Sequence, residues 1–111
     1  MGAAGAPAGA QDAGRGKVLF ADKCARCHAI TGKNDFGPNL KGVVGRKAAK
    51  AKGFDYSPAM KHSAIVWDWA SLNAYLAQPR LIVPRTAMPN MAGVADPQDR
   101  DDLIEYLKTA R

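Results

Sequence analysis

The chain has only two cysteines and two histidines, and no run of apolar residues long enough to cross a bilayer. Each shortage excludes a class of protein. Two cysteines cannot build a disulfide framework, and a bridge between Cys24 and Cys27 would close too small a loop to stabilise much. Structural zinc usually needs four ligands in two spaced pairs, but only Cys24, Cys27, His28 and His62 are at hand, and two of them are adjacent. A thioredoxin-like dithiol belongs in βαβ units, and no alternation of β-branched strands with helices is present. Although the net charge is +6, the basic residues are not gathered into a run of nucleic-acid type. The loose bunching at Lys41, Arg46, Lys47, Lys50 and Lys52 reads as a solvated loop. Residues 1–14 lack both the basic and the apolar region of a signal peptide. Eleven of those fourteen are Ala, Gly or Pro, the composition of a flexible tail or linker.

Against these absences stands one dense motif, Cys24-Ala25-Arg26-Cys27-His28. C-x-x-C-H is the attachment pattern of a c-type haem. Thiols three positions apart on one turn can each add across a vinyl group of one porphyrin edge. The next residue then lies under the iron and can offer an imidazole nitrogen. Both cysteines of the chain are consumed by the motif. Covalent attachment implies export before maturation, so removal of a leader or an upstream anchor is expected.

The remainder reads as one small all-α domain over residues 15–111. Asp12 or Gly14 opens a first helix with Val18, Leu19 and Phe20 on its inner side, running into the motif. A breaker-rich loop follows, from Gly32 to Gly53. Ser57-Pro58 starts a short helix to about His62. Asp68 caps a helix with Trp69, Leu72, Tyr75 and Leu76 at helical spacing, and Pro79 lies just past its end. An apolar, proline-punctuated loop then carries Leu81, Ile82, Val83, Met88 and Met91. Asp96-Pro97 starts the last helix. Its Asp99, Asp101 and Asp102 near the start and Lys108 and Arg111 at the end suit the helix dipole, and Leu103, Ile104 and Leu107 form its buried stripe. Three main helices, a short fourth and long loops need something large to wrap around, and one haem suits.

In this order the chain resembles class I cytochrome c, close to the mitochondrial and bacterial c2-type branch. The resemblance runs over roughly residues 14–111 through Gly16-Lys17-Val18-Leu19-Phe20, Phe36-Gly37-Pro38-Asn39-Leu40, Gly42-Val43-Val44-Gly45-Arg46, Phe54-Asp55-Tyr56-Ser57, Trp67, Tyr75-Leu76, Pro79, Pro84-Arg85-Thr86-Ala87-Met88, Ala92-Gly93-Val94 and Asp102-Leu103-Ile104-Glu105-Tyr106-Leu107. It implies that His28 and Met88 are the axial ligands, a pair that keeps iron low-spin in both oxidation states, with a thioether that favours the ferrous form. It also implies that the Pro38 carbonyl accepts the second ring N–H of His28. Tyr56 and Trp67 are then expected to hydrogen-bond a haem propionate with Arg46 beside it, and Tyr75 to lie near the Met88 sulfur. Gly16, Phe20 and Tyr106 are expected where the first and last helices meet. Met60 is read as a packing methionine and His62 as a surface histidine.

The function so implied is one-electron carriage by a monomer, not enzymatic turnover. A haem enzyme or gas sensor needs an open iron site, whereas Met88 would fill it and no distal His or Arg constellation accompanies it. The expected partners are redox proteins: a quinol-oxidising complex or dehydrogenase as donor, and a terminal oxidase or similar acceptor. Lys23, Arg26, Arg80 and Arg85 are the candidates for a basic rim that steers acidic partners. A bacterial periplasmic location is expected, tethered or free, ahead of the mitochondrial intermembrane space. Finally, no lysine lies between Lys61 and Lys108, so the Met88 loop contains none to replace the methionine at high pH; Arg80 and Arg85 stay protonated and cannot ligate.

Overall fold

The computed structural model of the chain describes residues 12–25, 27–34, 37–84 and 93–111. Among these residues the regular elements are helices: α1 (Ala13–Lys23), α2 (Pro58–Lys61), α3 (Trp69–Ala77), α4 (Pro79–Ile82) and α5 (Pro97–Thr109). The starts follow from local chemistry. Asp12, Ser57, Asp68 and Asp96 each accept a backbone N–H of the first turn, satisfying a donor that has no partner inside the helix. At α3 this becomes a capping box, with Asp68 and Ser71 each bonding the other's backbone N–H. Proline occupies the first turn of α2, α4 and α5, where its missing N–H costs nothing.

The terminal helices α1 and α5 pack against each other, and α5 also meets α3. Gly16 makes the first crossing possible: a Cβ there would stand 2.9 Å from the Tyr106 Cβ and collide with the Asp102 carbonyl. Phe20 and Tyr106 close the same contact, their ring centroids 5.5 Å apart. Leu103, Ile104 and Leu107 are buried as expected, each worth about 1.5–3 kcal/mol of transfer out of water.

Four features differ from the sequence reading. Val18 is 68 % exposed and takes no part in the inner face of α1, which is Gly16 and Phe20 with Leu19 half-buried. Trp69 is 41 % exposed, and its indole N–H donates to Asp101 at 2.9 Å rather than packing with Leu72, Tyr75 and Leu76. Pro79 does not merely end α3 but opens α4, so the expected loop begins with a helical turn. Asp102 is fully buried rather than a surface charge answering the helix dipole. It accepts from the Asp12 N–H at 2.8 Å, Gln98 Nε2 at 2.9 Å and Arg15 Nη1 at 2.5 Å, while Arg15 Nη2 reaches Asp99. Burial would raise the Asp102 carboxyl, but these donors, Arg15 foremost, hold it below its ordinary value.

Candidate haem site

The motif leaves α1 as a continuing turn. Cys24 caps the helix through its N–H to the Phe20 carbonyl, and the Cys24 carbonyl then accepts from Cys27 at 3.0 Å and His28 at 2.9 Å. One turn therefore presents both sulfurs and the imidazole. Cys24 is half-buried and Cys27 exposed. Burial pushes the Cys24 thiol up to about 11, with Cys27 adding and Lys23 opposing. Such surroundings penalise a thiolate but cost an uncharged thioether nothing.

His28 Nδ1 lies 2.8 Å from the Pro38 carbonyl. A carbonyl only accepts, so Nδ1 carries a proton; in the neutral ring the lone pair then belongs to Nε2, the tautomer a metal ligand needs. Gly37 lies against the ring: a Cβ there would fall 2.7 Å from Nδ1 and 2.9 Å from Nε2. Its own N–H is tied to the Cys27 carbonyl at 2.7 Å. The imidazole is thus held in its plane by one backbone group and on its face by the next.

Beside this turn opens an apolar cleft continuous with solvent. Pro38, Arg46, Tyr56, Trp67 and Tyr75, five of the residues singled out in the sequence, all line it. Arg46 and Trp67, far apart in the chain, are joined by a short antiparallel pairing around the Lys47–Val66 bridge. Trp67 N–H donates to the Arg46 carbonyl at 2.9 Å, and Gly45 and Ala48 donate to the Trp67 and Ile65 carbonyls. The period of two then turns Arg46 and Trp67 into the cleft while Lys47 and Val66 face solvent. Trp67 and Tyr75 meet edge to face at 5.2 Å. The Tyr56 hydroxyl accepts from the Ala51 N–H at 3.0 Å.

Arg46 is the electrostatic centre of the cleft. Its Nη1 and Nη2 donate to the carbonyls of Lys41 and Asn39, each at 3.1 Å, but its buried Nε has no partner among the described residues. A buried donor without a partner costs about 1–3 kcal/mol, and an acidic group entering the cleft would relieve that cost. A porphyrin has the matching parts: a flat apolar body, two carboxylates and two vinyl groups. The apolar lining, the unpartnered Arg46 donor, the His28 ring held by Pro38 and the paired sulfurs fit it.

Sequence reasoning missed part of the wall. Leu40, Val43, Ala49 and Met60 also line the cleft. Leu40 and Val43 belong to resembling segments that carry no assigned role, and the sequence marks Met60 for packing only. Lys23 and Arg80 are exposed and do not line the cleft. His62 is exposed, with Nδ1 2.8 Å from the Pro58 carbonyl. Met88, Arg26 and Arg85 lie outside the described residues.

Comparison with known proteins gives the same reading. The family model for cytochrome c matches residues 13–111. Cytochrome c of Euglena viridis is 45% identical over 90% of this chain and 98% of its own length. Cytochrome c2 of Rhodomicrobium vannielii is 43% identical over 90% of this chain and 80% of its own. The solved structure of cytochrome cH from Methylobacterium extorquens, 47% identical, superposes with a TM-score of 0.83 over 88% of this chain and 98% of that one. The turn, the cleft and these relatives together place the chain in the cytochrome c family, as an all-α electron carrier with one covalent haem c.

Proposed function

We propose that this chain is a one-electron carrier whose haem iron is held by His28 and Met88, and that it performs no chemistry of its own on a substrate. The observation that carries this reading is the His28–Pro38 hydrogen bond of 2.8 Å, which orients the ring as a ligating imidazole needs. When bound, haem supplies an iron that alternates between two oxidation states. The residues do the rest. Cys24 and Cys27 fix the porphyrin edge, and Pro38 and Gly37 hold the imidazole so that little moves when charge changes. Arg46 stands ready to offset a propionate, with Tyr56 and Trp67 beside it, and Tyr75 faces the same cleft. With a porphyrin filling the cleft, the apolar wall would keep water from the iron, which limits reorganisation on electron transfer. Optical spectra test the ligation. A weak red charge-transfer band in the ferric state and no carbon monoxide binding in the ferrous state are expected. A high-spin ferric spectrum with ready carbon monoxide binding would hand the site to an enzyme or sensor.

Lys23, Arg26, Arg80 and Arg85 form the proposed basic rim. The partners it suits are acidic faces of a quinol-oxidising complex or dehydrogenase on one side and a terminal oxidase or similar acceptor on the other, met by a monomer through a small, short-lived interface. Raising ionic strength should slow transfer to such a partner; an unchanged rate would remove the rim from the mechanism. The proposed location is the bacterial periplasm. No helix among the described residues is long and apolar enough to cross a membrane. The "cytochrome c-type cyt cy" of Rhodobacter capsulatus, 43% identical over 88% of this chain, matches over 49% of its own length, so the same domain occurs within a longer protein. Residues 1–14 are proposed as a flexible Ala/Gly/Pro tail or linker to domain 15–111.

A further inference from the structure

Two helices and one arginine hold the place where the chain returns after Met88. The carbonyl of Leu76, in the last turn of α3, has no partner within its helix and accepts instead from the Val94 N–H at 2.7 Å. Gly93, at φ +107°, passes so close to the Ala77 carbonyl that a Cβ would collide with it, and Val94 is buried. Arg100 of α5 completes the fastening. Its Nη1 donates to the Val94 carbonyl at 2.7 Å and to the Ala95 carbonyl at 3.0 Å, and its Nε donates to Asn73 Oδ1 of α3 at 2.7 Å. The guanidinium is therefore oriented by α3 and spends a charged donor on two successive carbonyls of the returning strand.

The entry side is fixed as well: Val83 is buried and its N–H bonds the Pro79 carbonyl at 2.9 Å. In the sequence Met88 lies five residues after Val83 and five before Gly93. A ligand carried midway between two anchors competes with free ligands through its effective concentration, which the anchors set. We infer that Arg100, oriented by Asn73, is a positioning residue for Met88: it holds the exit anchor and so keeps the thioether ahead of outside ligands. This rests on the His28/Met88 ligation proposed above.

The test is an optical titration of the ferric holoprotein with imidazole. Arg100→Met should tighten apparent imidazole binding roughly tenfold, the equivalent of losing a charged hydrogen bond. Asn73→Ala should tighten it by roughly threefold, since it removes only the orienting partner. Ile104→Val, which loosens the core of α5 without removing any hydrogen bond of the anchor, should leave it unchanged. If Arg100→Met does not yield holoprotein, Asn73→Ala carries the test by the same readout. Imidazole binding as in the wild type overturns the positioning role, and so does an equal tightening in Ile104→Val. Met88→Ala separates the two readings. If it keeps the red charge-transfer band, the ligation falls and this inference with it; if it loses the band while Arg100→Met behaves as wild type, the inference alone falls.

Discussion

The crossing of α1 and α5 and the cleft beside His28 are built on opposite terms. At the crossing every demand is met from within the chain. Gly16 admits the neighbouring backbone, Phe20 fits Tyr106, and the buried Asp102 is answered by three donors. In the cleft the lining is apolar and the buried Arg46 Nε has no partner among the described residues. One region completes itself; the other is complete only with the haem. The two regions nonetheless belong to one apolar core: Trp67, Leu72, Tyr75, Leu76 and Leu107 are buried in it and also line the cleft.

The largest break in that contrast is removal of the thioethers. Cys24→Ser with Cys27→Ser should abolish covalent haem and cooperative unfolding, because a small core that lacks its largest apolar member buries too little; circular dichroism under denaturant checks this. Next comes Gly16→Val, which forces apart α1 and α5. A loss of about 3 kcal/mol in unfolding free energy is expected, with the red charge-transfer band and the reduction potential unchanged. Asp102→Asn should cost about 2 kcal/mol at neutral pH. The sign in acid follows from linkage. The folded carboxyl lies below its ordinary 3.8, so its contribution is present above that pH and lost as pH falls through the depressed value. Unfolding of Asp102→Asn measured at falling pH should lack that share of the acid dependence.

On the cleft side, Arg46→Gln should leave unfolding nearly unchanged in comparison but lower the reduction potential by roughly tens of millivolts, since a cation near the iron favours the ferrous form. Potentiometric titration reads this, and an unchanged potential would place Arg46 outside the field of the iron. The smallest effect concerns alkali. With no lysine between Lys61 and Lys108, the wild type should keep its red band to a higher pH than Ala87→Lys, which supplies a ligand next to Met88. Equal midpoints would mean that another group displaces the methionine.

What was legible in the sequence was local. The C-x-x-C-H turn, the capping residues Asp12, Ser57, Asp68 and Asp96, and the apolar stripe of α5 each act within a few neighbours, so spacing alone exposed them. Pro38, Arg46, Tyr56, Trp67 and Tyr75 were legible through resemblance, and their shared wall became visible only in three dimensions. Asp102 was not readable because its partner Arg15 is 87 residues away, and the same carboxylate at a helix start serves equally well as a surface charge. The pairing that turns Arg46 and Trp67 inward engages only a few residues on each side, too short for an alternating pattern to stand out. α4 is a single turn, and Pro79 at its start reads equally as the end of α3.

That short pairing has a consequence for how such a protein can change. The path of the chain at residues 45–48 and 65–67 is fixed by backbone hydrogen bonds, which almost any side chain can make. Substitutions at Arg46 or Trp67 can then alter polarity and charge around the iron while the scaffold keeps its course. A lineage can retune its working voltage one residue at a time, without first inventing a new fold to hold the metal.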